Sequence, residues 1–314
     1  MAGSTIAAIS RARVKLGPEV LKALFEQAAG PVATGATAGA WYGRWRSMVI
    51  DGTTFDVPDS EENDARLGRP KTHRGEWSAF SRVRVVALAE CGTHAITHAT
   101  LGPFSTAESV LARELFDVLG PEDLLMAERG FAGLERWRAA AASGADLLWR
   151  IKSTAVLPVW REPPGGSYLS DIAAAGDRKR ADAVVARVIE YTLDDPGRPQ
   201  YTTRYRLITT ILDHESAPAM ELAARYNERW EIETVLDELK THQRGPAQVL
   251  RSRSPEGVEQ EVWGHLLVHH AIRSLMHTAA PRTSARTLTG SPSPAPCASR
   301  DATSPRGWPF PLTA

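Results

Sequence analysis

The stretch from Tyr226 to Lys240, YNERWEIETVLDELK, gathers the residues best equipped for chemistry. It lacks Gly and Pro and is rich in Glu, Leu, Arg and Lys, which predicts a helix with apolar residues at Trp230, Ile232, Val235, Leu236 and Leu239. At about 100° per residue, Tyr226, Arg229, Glu233, Asp237 and Lys240 fall within about 80° of one another. Carboxylate oxygens are natural ligands for Mg²⁺, so this face becomes metal chemistry if other acids converge on it. For an isolated helix the competing reading is a solvated stripe laced with i,i+3 and i,i+4 ion pairs.

Two other acids stand at the ends of buried strands, where open sheets bind ligands. Asp51 follows the apolar run Met48-Val49-Ile50, and Glu128 closes DLLMAE before Arg129-Gly130-Phe131. Such an acid next to Gly is more often a turn former than a ligand. Asp56 and Asp59 read as surface or turn acids.

The elements that must hold these residues are legible in order. SRVRVVALAECGTHAITHATLGPF predicts two strands joined at Cys91-Gly92-Thr93, which with a strand over 48–57 make a three-stranded meander. Ser105 to Glu108 reads as a capping box opening a helix to about Leu119. A buried strand from Asp123, a helix over 133–143 and a strand from Asp146 to Lys152 follow. The stretch 60–80, with Arg66, Arg69, Lys71, His73 and Arg74, reads as a polar loop, solvated or in contact with phosphate. Residues 153–206 interrupt the pattern with Pro163 to Gly166, a basic run at Arg178 to Arg180, and a strand over Val184 to Leu193; another strand runs from Tyr205 to Leu212. A helix over 259–278 carries His265 and His269 at i,i+4, but HLLVH lacks the Glu of a metalloprotease helix, so these are packing histidines.

Tyr, two residues, Arg, three residues, Glu, six residues, Lys is the spacing at Tyr226, Arg229, Glu233 and Lys240, and DGTTFDVPD surrounds Asp51. On these motifs the chain resembles the insertion-element-four family of bacterial insertion-sequence transposases. The resemblance implies an α/β fold, a ribonuclease-H-like core of mixed sheet flanked by helices, with a β-rich insertion between the second and third carboxylates. It implies Asp51, Glu128 and Glu233 as catalytic metal ligands for two Mg²⁺ ions, with Mn²⁺ as a substitute. Tyr226, Arg229 and Lys240 would hold DNA phosphates. The family has Asp in a D-R-G-F string where this chain has Glu128.

The resemblance further implies three parts: 1–40, the end of an N-terminal DNA-binding region plus linker; 41–278, the core, with its insertion at 153–206; and 279–314. The last part is aperiodic and rich in Pro, Ser, Thr, Ala and Arg, and is expected to be a disordered tail produced by a frameshift. With 37 basic and 37 acidic residues the chain is not a uniformly basic DNA-coating protein. Two distant cysteines, no run of 18 apolar residues and no signal core lead us to expect a soluble cytoplasmic protein with no membrane contact. The expected partners are double-stranded DNA, as element ends and target, and a second copy in a homodimer. Three activities stay open: a transposase, a nuclease of the same fold, and a remnant that only binds DNA.

Overall fold

The computed structural model describes residues 6–71, 75–174, 176–194, 202–243, 249–287 and 312–313. Helices α1 (Ile6–Leu16) and α2 (Glu19–Ala28) lead to strands β1 (Trp41–Tyr42) and β2 (Trp45–Val57). Helix α3 (Glu61–Leu67), β3 (Ser81–Glu90), β4 (Ile96–Pro103), α4 (Glu108–Leu111), β5 (Asp123–Ala127), α5 (Leu134–Ala141) and β6 (Asp146–Arg150) complete the first half. Then come β7 (Ser167–Ile172), β8 (Val184–Asp194), β9 (Thr202–Thr209), α6 (Ala219–Asn227), α7 (Glu231–Asp237), α8 (Pro255–Thr287) and β10 (Leu312–Thr313).

One mixed sheet runs β10-β8-β9-β6-β5-β2-β3-β4, with β1 beside β2 and β7 beside β8. Strands β2, β3 and β4 form the expected antiparallel meander, and β5 and β6 add parallel to β2. This is the expected α/β arrangement, a mixed sheet flanked by helices. Its middle strands are buried on both faces, which is why Val49-Ile50, Leu124 to Ala127 and Leu147 to Trp149 read as unbroken apolar runs. Val49, Met126 and Leu148 pack toward α2 and α6 to α8; Ile50, Ala127 and Trp149 pack toward α4 and α5.

The region at 153–206 adds β7, β8 and most of β9 to this same sheet, since β9 pairs antiparallel with β6. Its basic run is partly engaged: Arg180 grips the buried Asp171 at 2.6 and 2.8 Å. The loop expected at 60–80 contains α3, because Ser60 caps the helix by accepting from the Asn63 N–H and three acids occupy its first turn. Arg69 from this stretch pairs with Asp59 and Asp64, and Arg66 with Glu256 and Glu259; His73 and Arg74 lie outside the described residues. The capping box at 105–108 does not form. Ala107 caps α4 without a side-chain bond, the helix ends at Leu111, and Glu108 turns to Arg84 instead.

At the C-terminal side most of the expected tail, 288–311 and 314, lies outside the described residues. Helix α8 continues to Thr287, and β10 pairs with β8 through Leu312 opposite Leu193. A helix end is set by propagation from the packed turns before it, which composition over 279–287 does not reveal. The histidines of α8 are packing residues: His269 and His270 are buried, and a His270 ring nitrogen meets the Ile96 carbonyl at 3.1 Å. Among the described residues no helix is long and apolar enough to cross a membrane.

Trp149 is fully buried and meets Trp137 edge to face at 5.3 Å, with Phe116 at 6.1 Å. Trp149→Ala is therefore expected to lower the unfolding free energy by about 3–5 kcal/mol in urea denaturation. A loss under about 1 kcal/mol would mean that this aromatic cluster is not packed as described.

Candidate active site

Register across the three parallel strands builds the floor of the site. Ile50 lies opposite Ala127, and Ala127 opposite Trp149. The next residues are Asp51, Glu128 and Arg150. Because Ile50, Ala127 and Trp149 face α4 and α5, pleating turns their successors toward α6 and α7. Neighbouring strands lie about 4.8 Å apart, so two acids and a guanidinium start side by side.

The fourth group descends from the other layer. The predicted helix over 226–240 is present as a path but not as one regular element: α6 ends at Asn227, Glu228–Trp230 form a 3₁₀ turn, α7 follows, and Glu238–His242 form a π turn. Tyr226 is 4% exposed and donates its hydroxyl to the Ala127 carbonyl at 3.3 Å, which ties α6 to the end of β5 just before Glu128. Arg229, in the 3₁₀ turn, is 2% exposed. Its Nη2 is 3.0 Å from Glu128 Oε1 and 3.7 Å from Glu233 Oε1, and its Nη1 is 3.8 Å from Asp51 Oδ2. One guanidinium thus touches all three predicted carboxylates.

The contacts are uneven. Only the Glu128 contact is within hydrogen-bond distance, and Arg229 Nε and Nη1 are buried without a hydrogen-bond partner. Glu128 is shared with Arg150 Nη1 at 3.4 Å, whose guanidinium lies 4.3 Å over the Tyr205 ring. Burial pushes the Asp51 carboxyl up from its usual 3.8 to about 6, assisted by Glu108 and Glu233 and opposed by the Gly52 N–H and Arg229. Gly52 lets the Glu108 side chain lie close over β2: a Cβ there would stand 2.4 Å from Glu108 Cδ, so the glutamate would have to shift. Glu108 leans over this gap and is held by Arg84.

Asp51, Glu128, Glu233 and Arg229 are therefore brought together, and Tyr226 lies beneath Arg229. Lys240 sits on the π turn, half-buried, and the cations within ion-pair distance of the three acids among the described residues are Arg229 and Arg150. The sequence reading missed Arg150, Glu108 and Arg84. Arg150 was visible only as one residue inside a predicted strand, and its place beside Glu128 needs the β5–β6 register.

Three carboxylates on one point of positive charge are a hard-oxygen donor set that fits Mg²⁺ or Mn²⁺. Among the described residues no three His, Cys, Asp or Glu side chains are gathered at metal-binding distance. The guanidinium of Arg229 lies among the three carboxylates, 3.0 to 3.8 Å from one oxygen of each.

A family model described as "Transposase DDE domain" matches residues 46–270, which include all four of these residues. The transposase InsG for insertion sequence element IS4 of Escherichia coli is 29% identical over 276 residues, covering 86% of this chain and 60% of InsG. The putative transposase InsZ of the same organism is 25% identical over 155 residues, 49% of this chain and 50% of InsZ. The chain thus spans about half to 60% of the length of these relatives. A piggyBac transposase synaptic complex with hairpin DNA is a more distant likeness, at 9% identity and a TM-score of 0.46, over 76% of this chain and 48% of that one.

A carboxyl with a raised folded-state value favours the fold while protonated, below about 4, and loses that contribution as pH rises through about 6. Asp51→Asn stays neutral throughout. It is expected to melt at a higher temperature than the parent in metal-free buffer near neutral pH, with the difference shrinking as pH falls below about 6. A difference independent of pH would show that Asp51 is not desolvated.

Proposed function

This chain belongs to the transposase DDE domain family, and from that premise we propose that it cleaves DNA at the ends of an insertion element and joins the freed ends to target DNA. One observation carries the assignment of its acids: Asp51, Glu128 and Glu233 come from two strands and a helix, yet all lie between 3.0 and 3.8 Å from the Arg229 guanidinium. Charges from distant parts of a chain are gathered in one partly buried place at a cost in desolvation, which a structural role alone leaves without a purpose.

Those three carboxylates would hold two Mg²⁺ ions, or Mn²⁺, which when bound supply an activated water or 3′-hydroxyl as nucleophile and stabilise the leaving oxygen of an in-line displacement. Asp51 and Glu128 are fixed by the sheet. Glu233 has a half-exposed carboxylate on a helix and can adjust to the substrate. Arg150 beside Glu128, and Lys240 farther along the helix path, are cations suited to phosphate oxygens. Tyr226 and Arg229 act on DNA through the groups they position, since direct phosphate contact would require buried side chains to turn outward. The substrate is double-stranded DNA.

Asp51→Asn and Glu233→Gln are near-isosteric, and each removes one metal-binding charge. Both are expected to abolish Mg²⁺-dependent nicking of linear DNA carrying the element's own ends, with unchanged far-UV circular dichroism. Nicking at the parent's rate by either variant would show the acids to be wrongly assigned.

A second reading, a remnant that binds DNA without cutting it, is favoured by Glu at position 128. Its extra methylene carries the carboxylate farther from β5 than Asp would. Misplacement on the order of 1 Å can cost about a hundredfold in rate. The parent is therefore expected to nick weakly and Glu128→Asp to nick faster, in Mg²⁺ and in Mn²⁺. Equal rates would show that the site accepts either acid, and absence of nicking in both would favour the remnant.

A further inference from the structure

Arg229 raises a question that a role in DNA contact does not answer. It is the most enclosed charged side chain of the site, 2% exposed, and it is directed into the three acids. Its surroundings do not satisfy it. One Nη2 contact reaches 3.0 Å, the others are 3.7 and 3.8 Å, and Nε and Nη1 have no hydrogen-bond partner. A buried guanidinium built for a structural ion pair is bidentate and fully bonded. Arg187, also fully buried, is better bonded though its partners are not acids: it donates to Ser167 Oγ at 2.9 Å and to the Ala217 carbonyl at 2.8 Å, and its Nη2 alone of the three nitrogens lacks a partner. Arg229 is held by charge more than by hydrogen-bond geometry.

The charge count says why a cation is required there. Asp51, Glu128 and Glu233 face Arg229 and Arg150. Three negative charges against two positive leave the cluster one short, and removing Arg229 would leave it two short around a partly buried point. Like charges gathered without a counter-ion repel, and burial amplifies the repulsion. Resting on the reading of these acids as a metal site, we propose that Arg229 is the chain's own counter-cation. It keeps the three carboxylates assembled while no metal is present and competes with the divalent ion for them.

Competition follows from position. The guanidinium approaches the same Glu128 Oε1, Glu233 Oε1 and Asp51 Oδ2 that hard cations would bind, so both cannot hold those oxygens at once. Binding of the ion requires Arg229 to retreat. Its guanidinium lies 5.2 Å from the half-exposed Trp230 ring and 5.8 Å from the Tyr226 ring, which offer a displaced cation two aromatic faces. The device sets a threshold: the acids are kept around one point, but metal is taken up only against an internal competitor.

The test is direct binding of Mn²⁺ to the full chain without DNA, read by electron paramagnetic resonance of the free ion. Arg229→Gln is expected to bind Mn²⁺ more tightly than the parent by about tenfold, the equivalent of about 1.4 kcal/mol. Arg229→Lys keeps the charge but cannot span three carboxylates, and is expected to fall between the two. If Arg229→Gln does not fold in metal-free buffer, Arg229→Lys alone decides the matter. As a second readout, the rise in melting temperature with added Mn²⁺ should be larger in either variant than in the parent. Asp51→Asn should lose the binding and identify the site. Equal or weaker Mn²⁺ affinity in the folded Arg229 variants, with binding still lost in Asp51→Asn, would overturn the competition and leave the metal site standing. Binding that is absent from every chain, or unchanged in Asp51→Asn, would overturn the metal-site reading and this inference with it.

Discussion

Parallel pairing of Ile50 with Ala127, and of Ala127 with Trp149, is the constraint on which the site depends. A slip of one residue in either pair would turn Asp51, Glu128 or Arg150 to the opposite face, toward α4 and α5, where the aromatic packing of Trp137 and Trp149 leaves no place for a charge. Register in turn is held by burial on both faces of these strands, so the same apolar runs that make the core fix the acids. Stability and the site are one problem here, solved in the middle of the sheet.

Arg229 adds a second dependence, between layers. Tyr226 bonds to the carbonyl of Ala127, the residue before Glu128, while Arg229 three residues later meets Glu128 itself. The helix path is thereby keyed to the end of β5 at two consecutive residues. Glu233 arrives where it does because the 3₁₀ turn and α7 carry it from that anchor, not because its own contacts hold it; it is half exposed. A weakly held third acid between two firmly held ones leaves the site room to adjust to a substrate.

The place of Asp51 and Glu128 at strand ends, the meander and the alternation of strands with helices were legible because each is local: an acid after an apolar run, alternating apolar residues, a turn at Cys91 to Thr93. What escaped depended on pairings between distant segments. Arg150 needed the β5–β6 register, and Glu108 was read as a cap because its partner Arg84 is 24 residues away in sequence. Helix α3 was hidden in a polar stretch, since its packing rests on only a few side chains such as Asn63 and Leu67. The interruption of the Tyr226–Lys240 helix has no signal in a stretch without Gly or Pro. We have no local account of it beyond the contacts its residues make with β2 and β5.

The polar face of that helix shows what a sequence cannot hold. The i,i+4 pair expected of a solvated stripe is present, Arg229 with Glu233 at 3.7 Å. Left in water, such a pair contributes about 0.3–0.5 kcal/mol and nothing more need be said of it. Here the same arginine is closed over by the sheet and shared with acids from β2 and β5. Stripping a buried charge of its partners costs on the order of 3–5 kcal/mol. The bland reading and the functional one therefore agree on the pair and its spacing. They differ only in burial, which is decided by what lies across from the helix, and burial turns a surface contact into the centre of the site.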